Sequence, residues 1–171
     1  MIQNSRRRII SFLLIASVWV LFDLVTKQYL FQLLTQPGHS TVIISDYLRF
    51  THVKNRGAVW GFFEHMDQIL FYVNLLVVPG LFLFFLRILY KPGLLVERPT
   101  HPFVLALGLI MGGAMGNLYD RCMFGFVRDF IDVTIPVIEY RWPVFNIADA
   151  GITVGAVILA TCLLLYPPEE E

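Results

Sequence analysis

Asp129 and Asp149 are the residues in this chain best suited to chemistry. Asp129 stands in Val127-Arg128-Asp129-Phe130 and Asp149 in Phe145-Asn146-Ile147-Ala148-Asp149, each close to a long apolar run. An ionisable group beside hydrocarbon is costly enough to need a partner or a task. Two carboxyls brought close together cannot both ionise readily, so near neutral pH they share one proton. One then serves as base and the other as acid, which suits hydrolysis of an amide by water without a metal. Asp149 also has a plain structural reading. Asn146 is a natural helix N-cap and Asp149 follows three positions later, as in a capping box. That reading leaves Asp129 and Asp132 unexplained.

Other chemistries find less support. There is no Gly-x-Ser-x-Gly, and neither Cys122 nor Cys162 has a histidine near it in sequence. His39, His52, His65 and His101 are scattered, and Glu64-His65 with Asp67 is a weak grouping without zinc-type spacing. No metal or other cofactor is expected. Gly125, Asp129 and Asp132 superficially match part of the acidic motif of CDP-alcohol phosphotransferases, but the upstream half is missing.

The elements that position the acids are membrane helices. Of 171 residues 57% are hydrophobic and 15% charged, with mean hydropathy +0.67, which excludes an ordinary soluble globule. Thirteen basic and thirteen acidic residues cancel, leaving no field to attract nucleic acid. Apolar runs at about 9–30, 69–86, 103–119 and 147–166 each approach the length needed to cross a bilayer. The expected fold is a mainly α integral membrane protein: a single membrane domain over 1–171, with a four-helix transmembrane bundle and a small extracytoplasmic β-rich segment. Arg6-Arg7-Arg8 before the first run, and Arg87, Lys91 and Arg98 around the 90–100 connection, place both termini in the cytoplasm. The first run has a basic flank but no convincing cleavage site, so it reads as an uncleaved helix.

Outer segments are then 31–67 and 122–146. In the first, Thr41–Ile44 and Tyr47–Val53 are β-rich around a Ser45-Asp46 turn, and Trp60, Phe62 and Phe63 suit an interfacial aromatic belt. The second is expected to fold back as a loop that delivers Asp129. Polar residues accompany the acids on the helices. Asp23 and Lys27 share a face four residues apart, fitting a structural ion pair or a wet, inward-facing site. In the third run Gly108, Gly112 and Gly116 form a smooth stripe for close helix packing, while Gly113, Asn117 and Arg121 line a neighbouring face. Asp120 and Arg121 could pair with each other or serve a site. Both cysteines read as packing residues, too far apart for a disulfide.

Five stretches in order carry a specific resemblance: Asp23-Leu24-Val25-Thr26-Lys27; Asn55-Arg56-Gly57-Ala58-Val59-Trp60-Gly61; Gly112-Gly113-Ala114-Met115-Gly116-Asn117-Leu118-Tyr119-Asp120-Arg121; Val127-Arg128-Asp129-Phe130; and Phe145-Asn146-Ile147-Ala148-Asp149. Over nearly its full length the chain resembles the bacterial lipoprotein signal peptidases (signal peptidase II). It departs from them at Val59, where a second alanine is common, at Met115, where leucine is usual, and at Arg128.

The resemblance implies an aspartic endopeptidase of the inner membrane, with its active site at the periplasmic or outer face. It implies cleavage of diacylglyceryl-modified prolipoproteins just before the lipidated cysteine. Asp129 and Asp149 would be the catalytic pair. Asn55, Gly57, Asn117, Arg121 and Asn146 would surround it, with Asp23, Lys27 and Asp120 in support. It further implies membrane lipid as a partner and inhibition by globomycin-type peptides; separately, the glycine stripe can be satisfied within one bundle, so a monomer is expected. The alternative from another class is a small transporter or cation- or proton-binding membrane protein that uses the same acids.

Overall fold

The computed structural model describes residues 2–57, 67–93, 95–96 and 99–165; Trp60, Phe62, Phe63 and Glu64-His65 lie outside them. Four helices, α1 (Ile2–Leu33), α2 (Asp67–Tyr90), α3 (His101–Phe124) and α4 (Ile147–Leu165), are each long and apolar enough to cross a membrane. The expected class, a mainly helical membrane protein with a small sheet, is the one observed. Helices α1, α2 and α3 outrun their apolar stretches because hydropathy marks only the part suited to hydrocarbon, while the backbone bonds continue into polar turns. For α3 the ends are explicit. The Thr100 hydroxyl caps the Phe103 N–H, and Gly125, left-handed at φ 75°, closes the other end by donating to the Arg121 carbonyl.

The third helix is the centre of the bundle. Of its most apolar window 61% is buried, against 17% for α1 and 22% each for α2 and α4. The other three turn side chains such as Leu14, Val18, Leu76 and Leu164 outward, where lipid is the natural solvent. Phe12, Phe85, Phe103, Leu107 and Met111 build the apolar core between α1, α2 and α3.

Small residues let the other helices close on α3. A Cβ at Gly112 would lie 2.9 Å from the Ala16 carbonyl of α1, and one at Gly113 would strike the Ala148 carbonyl of α4. Backbone oxygens cannot swing aside. Gly113→Ala is therefore expected to cost about 1–3 kcal/mol by forcing α3 and α4 apart. Gly80→Ala in α2, where nothing lies within 4 Å, is expected to be neutral or stabilising. Unfolding of both variants in detergent checks the pair.

The sheet caps one end of this bundle. Strands β1 (Ser40–Ile44), β2 (Leu48–Asn55), β3 (Val127–Ile135) and β4 (Tyr140–Arg141) pair antiparallel in the order β1-β2-β3-β4. The β1–β2 hairpin and its turn stand where the sequence placed them. The segment after α3 does not match the expected loop: Asp129 lies within β3, paired to Val53 of β2. All of Val127 to Phe130 is buried, so both faces of the strand are covered there. Cys162 packs inside as expected, but Cys122 is exposed.

Candidate active site

Strand pairing brings the polar residues together. Asn55 ends β2 opposite Val127, and its Nδ2 donates to Asp129 Oδ2 at 2.8 Å. The Phe145 carbonyl accepts from the Phe130 and Ile131 N–H groups, which fixes the entry to α4 against β3. Asn146 thereby reaches Asp129, donating from Nδ2 to Oδ1 at 2.6 Å. The capping box read from the sequence is present in full. The Asp149 N–H donates to Asn146 Oδ1 at 2.9 Å, and Asp149 Oδ2 accepts from the Asn146 N–H at 3.2 Å. Asn117, on the face of α3 next to α4, donates from Nδ2 to Asp149 Oδ1 at 2.7 Å.

The three amides have only one consistent orientation. The Lys27 ammonium can only donate, so the Asn117 atom 3.0 Å from it is the oxygen and its NH2 faces Asp149. The Gly57 N–H, 2.8 Å from Asn55, demands an oxygen there, which turns the other end of that amide to Asp129. The Asp149 N–H makes the same demand of Asn146. Gly57 meets it at φ 103°, a conformation suited to glycine. A chain of amides thus ties Asp129 through Asn146 to Asn117, 3.1 Å away, and on to Asp149. Each carboxylate oxygen takes one N–H donor and keeps capacity for a proton or a water.

The environments of the two acids differ. Asp129 is 1% exposed, whereas Asp149 is half-buried and lines a cleft of about 350 Å³ with Val133, Trp142 and Phe145. Burial, and then the charge of Asp149, raise the Asp129 carboxyl to about 7, against the pull of its bonds from Asn55 and Asn146. On another side Arg121 and the exposed Arg56 line a cleft of about 330 Å³ with Phe71, Tyr72 and Phe126. Among the described residues no three of the His, Cys, Asp and Glu side chains are grouped as metal ligands.

Behind the site lies a buried ionic core. Lys27 Nζ is 2.7 Å from Asp23 and 3.3 Å from Asp120, with all three side chains fully buried. Of the two readings of Asp23 and Lys27, the structural ion pair is the one observed, and it is sealed rather than wet. Nor does Asp120 pair with Arg121. It takes the Arg128 guanidinium at 2.7 Å and the Arg128 N–H at 2.9 Å, while Arg121 donates to the Asn117 carbonyl. Asp23 Oδ1 accepts from the Ala148 N–H at 2.9 Å, linking this core to the start of α4.

Sequence reasoning passed over Arg128 as a partner of Asp120. It also gave no place to Asp132, a buried acid that accepts from Thr51 at 2.7 Å and pairs with Arg141 and Arg49. Burial pushes Asp132 up, but the bonds from Arg141 and Thr51 outweigh it and hold the carboxyl below its usual range. Through Thr51 and Arg49 of β2 and Arg141 of β4 it knits β2, β3 and β4 together.

The model that describes the signal peptidase (SPase) II family, Peptidase_A8, matches residues 15–165. The chain belongs to the signal peptidase II family. Similar relatives include the lipoprotein signal peptidase of Moorella thermoacetica, 36% identical over 160 residues that cover 93% of this chain and 96% of that one. That of Clostridium novyi is 35% identical over 146 residues, covering 85% and 91%. A bacterial membrane enzyme solved by the in meso method at 2.3 Å superposes with a TM-score of 0.73 at 30% identity, over 94% of both chains. Signal peptidase II membership accounts for the whole span from the middle of α1 to the end of α4, including every residue of the site.

Proposed function

We propose that the protein is an aspartic endopeptidase that removes signal peptides from diacylglyceryl-modified prolipoproteins, cutting just before the lipidated cysteine. The observation that carries this reading is the pair Asp129 and Asp149, tied by amides whose orientations are forced, in a chain of the signal peptidase II family. Asp129, the more buried acid, holds the shared proton and hydrogen-bonds the scissile carbonyl oxygen. Asp149 stays ionised and takes a proton from water. The water oxygen bonds to the carbonyl carbon, and collapse of the tetrahedral intermediate breaks the C–N bond as a proton passes to the leaving amine. No covalent bond to the enzyme forms.

Asn55, Asn117 and Asn146 hold the pair in register, with Gly57 fixing Asn55. Lys27, Asp23 and Asp120 support them from behind. Arg121 lies at the edge, as a donor for backbone carbonyls of the substrate. The apolar cleft beside Asp149 suits the greasy part of the substrate, and that remote anchorage positions the bond for attack. In this reading the sheet end faces out of the cytoplasmic membrane and both termini lie in the cytoplasm. A monomer suffices, since the close glycine approaches on α3 are met by α1 and α4 of the same chain.

The test is reconstitution with a diacylglyceryl-modified prolipoprotein and mass analysis of the products. A free signal peptide and a new lipidated N-terminal cysteine are expected, with block by globomycin and full activity in EDTA. Absence of cleavage overturns the reading.

A pH profile tests the proton assignment. The pair needs one proton, so kcat/KM is expected to fall about tenfold per pH unit above an apparent pKa near 7, the value to which Asp129 is raised. Stability has a matching sign. The folded carboxyl is raised above its unfolded value of 3.8, so its contribution is fully present below pH 3.8 and is lost as pH rises to about 7. Asp129→Asn lacks that loss, and melting of both proteins from pH 4 to 8 reads the difference.

A further inference from the structure

A second polar cleft lies at the opposite end of the bundle and takes no part in the site above. It is lined by Asn4, Arg7, Arg8 and Ser11 of α1 and by Thr100 and His101 at the start of α3, around a volume of about 270 Å³. Arg8 precedes Asp23 by fifteen residues on one continuous helix, so the two stand about 22 Å apart along α1. The cleft is therefore at the other membrane boundary from the acids.

Its chemistry is that of an anion receptor. Among the described residues no acidic side chain lines it, and neither Arg7 nor Arg8 joins a salt bridge. The charge is directional. Arg6 is adjacent in sequence but successive helical residues point about 100° apart, and Arg6 does not line the cleft. The end of α3 adds little, since Thr100 already caps Phe103, Pro102 has no N–H and the Val104 N–H is bonded to the Thr100 carbonyl. The arginine side chains carry the field.

The surroundings decide where the anion comes from. One turn inward from Ser11 and His101, Leu14 of α1 and Leu105 of α3 are exposed, at 60% and 39%. These are apolar side chains at the depth where acyl chains begin. A ligand with a phosphate at the boundary and hydrocarbon below it satisfies both surfaces, whereas a soluble phosphate satisfies only one. We infer that the cleft formed by Arg7, Arg8, Asn4, Ser11 and His101 binds the phosphodiester headgroup of an anionic phospholipid on the side of the membrane opposite the acids. Basic pockets between membrane helices are suited to such headgroups.

Native mass spectrometry of the full chain, released from micelles containing equal amounts of phosphatidylglycerol and phosphatidylcholine, tests the site. Preferential retention of phosphatidylglycerol is expected. Each arginine near an anionic lipid is worth about fivefold in affinity, so the Arg7→Gln/Arg8→Gln protein should lose roughly 25-fold. Arg6→Gln should retain the lipid. Ser11→Phe, which fills the cleft and keeps both arginines, should lose it, and it serves as the decisive variant if the double variant fails to fold by circular dichroism.

Millimolar inorganic phosphate should leave lipid retention unchanged. Displacement by phosphate would make this a soluble-anion site and overturn the lipid assignment. Equal loss in Arg6→Gln, or retention in both cleft variants, would reduce the effect to general charge and overturn the site. A chain shortened to end at Tyr166, lacking the acids Glu169 to Glu171, should bind equally; lipid retention only after that shortening would make the cleft the seat of the tail instead.

Discussion

Asp129→Asn and Asp149→Asn are each expected to lower single-turnover cleavage of a diacylglyceryl-modified prolipoprotein by about 10⁴-fold, while helix content stays unchanged. Each change keeps the shape of the side chain and removes its ability to exchange a proton, and loss of general acid–base chemistry costs up to about 10⁴-fold. The structure also says what else the substitutions disturb. Asp129 accepts N–H donors on both oxygens, from Asn146 and Asn55, so an amide there must set its own NH2 against one of them. Asp149 has the same arrangement with Asn117 and the Asn146 N–H. That mismatch costs about 1–3 kcal/mol locally. At position 129 it is offset by removal of a carboxyl that resists ionisation. Melting curves separate this stability effect from the chemical one.

Two controls sharpen the result. The double variant should be no slower than either single variant, because the acids act as a unit and residual rate comes from binding alone. Asp132→Asn should cleave at close to the normal rate while loosening the sheet, since Asp132 binds Thr51, Arg49 and Arg141 and none of the site amides. Undiminished cleavage in Asp129→Asn or Asp149→Asn removes that acid from the reaction. Loss of cleavage in a well-folded Asp132→Asn would mean that the reacting pair has been misassigned.

How much of this site could be read from the chain depends on how locally each residue is determined. Asp149 and Asn146 were legible because a capping box is complete within four residues, and the box is present. The polar face of α3 was legible for a similar reason, since helical periodicity alone lines up Gly113 with Asn117. Strand β3 was not. Arg128, Asp129 and Asp132 interrupt its apolar pattern, and burial on both faces removes the alternation that marks a strand. Its partner Asn55 is 74 residues from Asp129, a separation that no local signal spans.

The ionic core shows the same limit from the other side. Spacing of four placed Asp23 and Lys27 on one face, and they do pair. It could not show that the face is sealed, or that Lys27 reaches across to Asp120 and Asn117 on α3. The adjacency of Asp120 and Arg121 suggested a pair that the helix forbids, because neighbours on a helix point in different directions. Arg128 takes that place because Gly125 turns the chain and β3 returns it alongside the end of α3.

That core is where the largest effect on folding is expected. Lys27→Met should destabilise the protein by about 3–5 kcal/mol, the range for removing one partner of a buried ion pair. The methionine stem fills most of the space of the lysine stem, so the cost is electrostatic rather than a cavity. With Lys27 present, the two buried carboxylates Asp23 and Asp120 face two buried cations, Lys27 and Arg128. Without it, Arg128 must balance both. The double variant Lys27→Met/Asp23→Asn restores neutrality, and its position 23 can still accept from the Ala148 N–H that ties α1 to α4. It should therefore be more stable than Lys27→Met alone, a non-additivity that a packing defect would not produce. Chaotrope unfolding in detergent measures both. The core also steers the site, because Lys27 is the donor that orients Asn117 toward Asp149. The double variant, folded but lacking that donor, should lose kcat more than it raises KM. If it instead melts with the single variant, charge balance is not what holds α1 to α3.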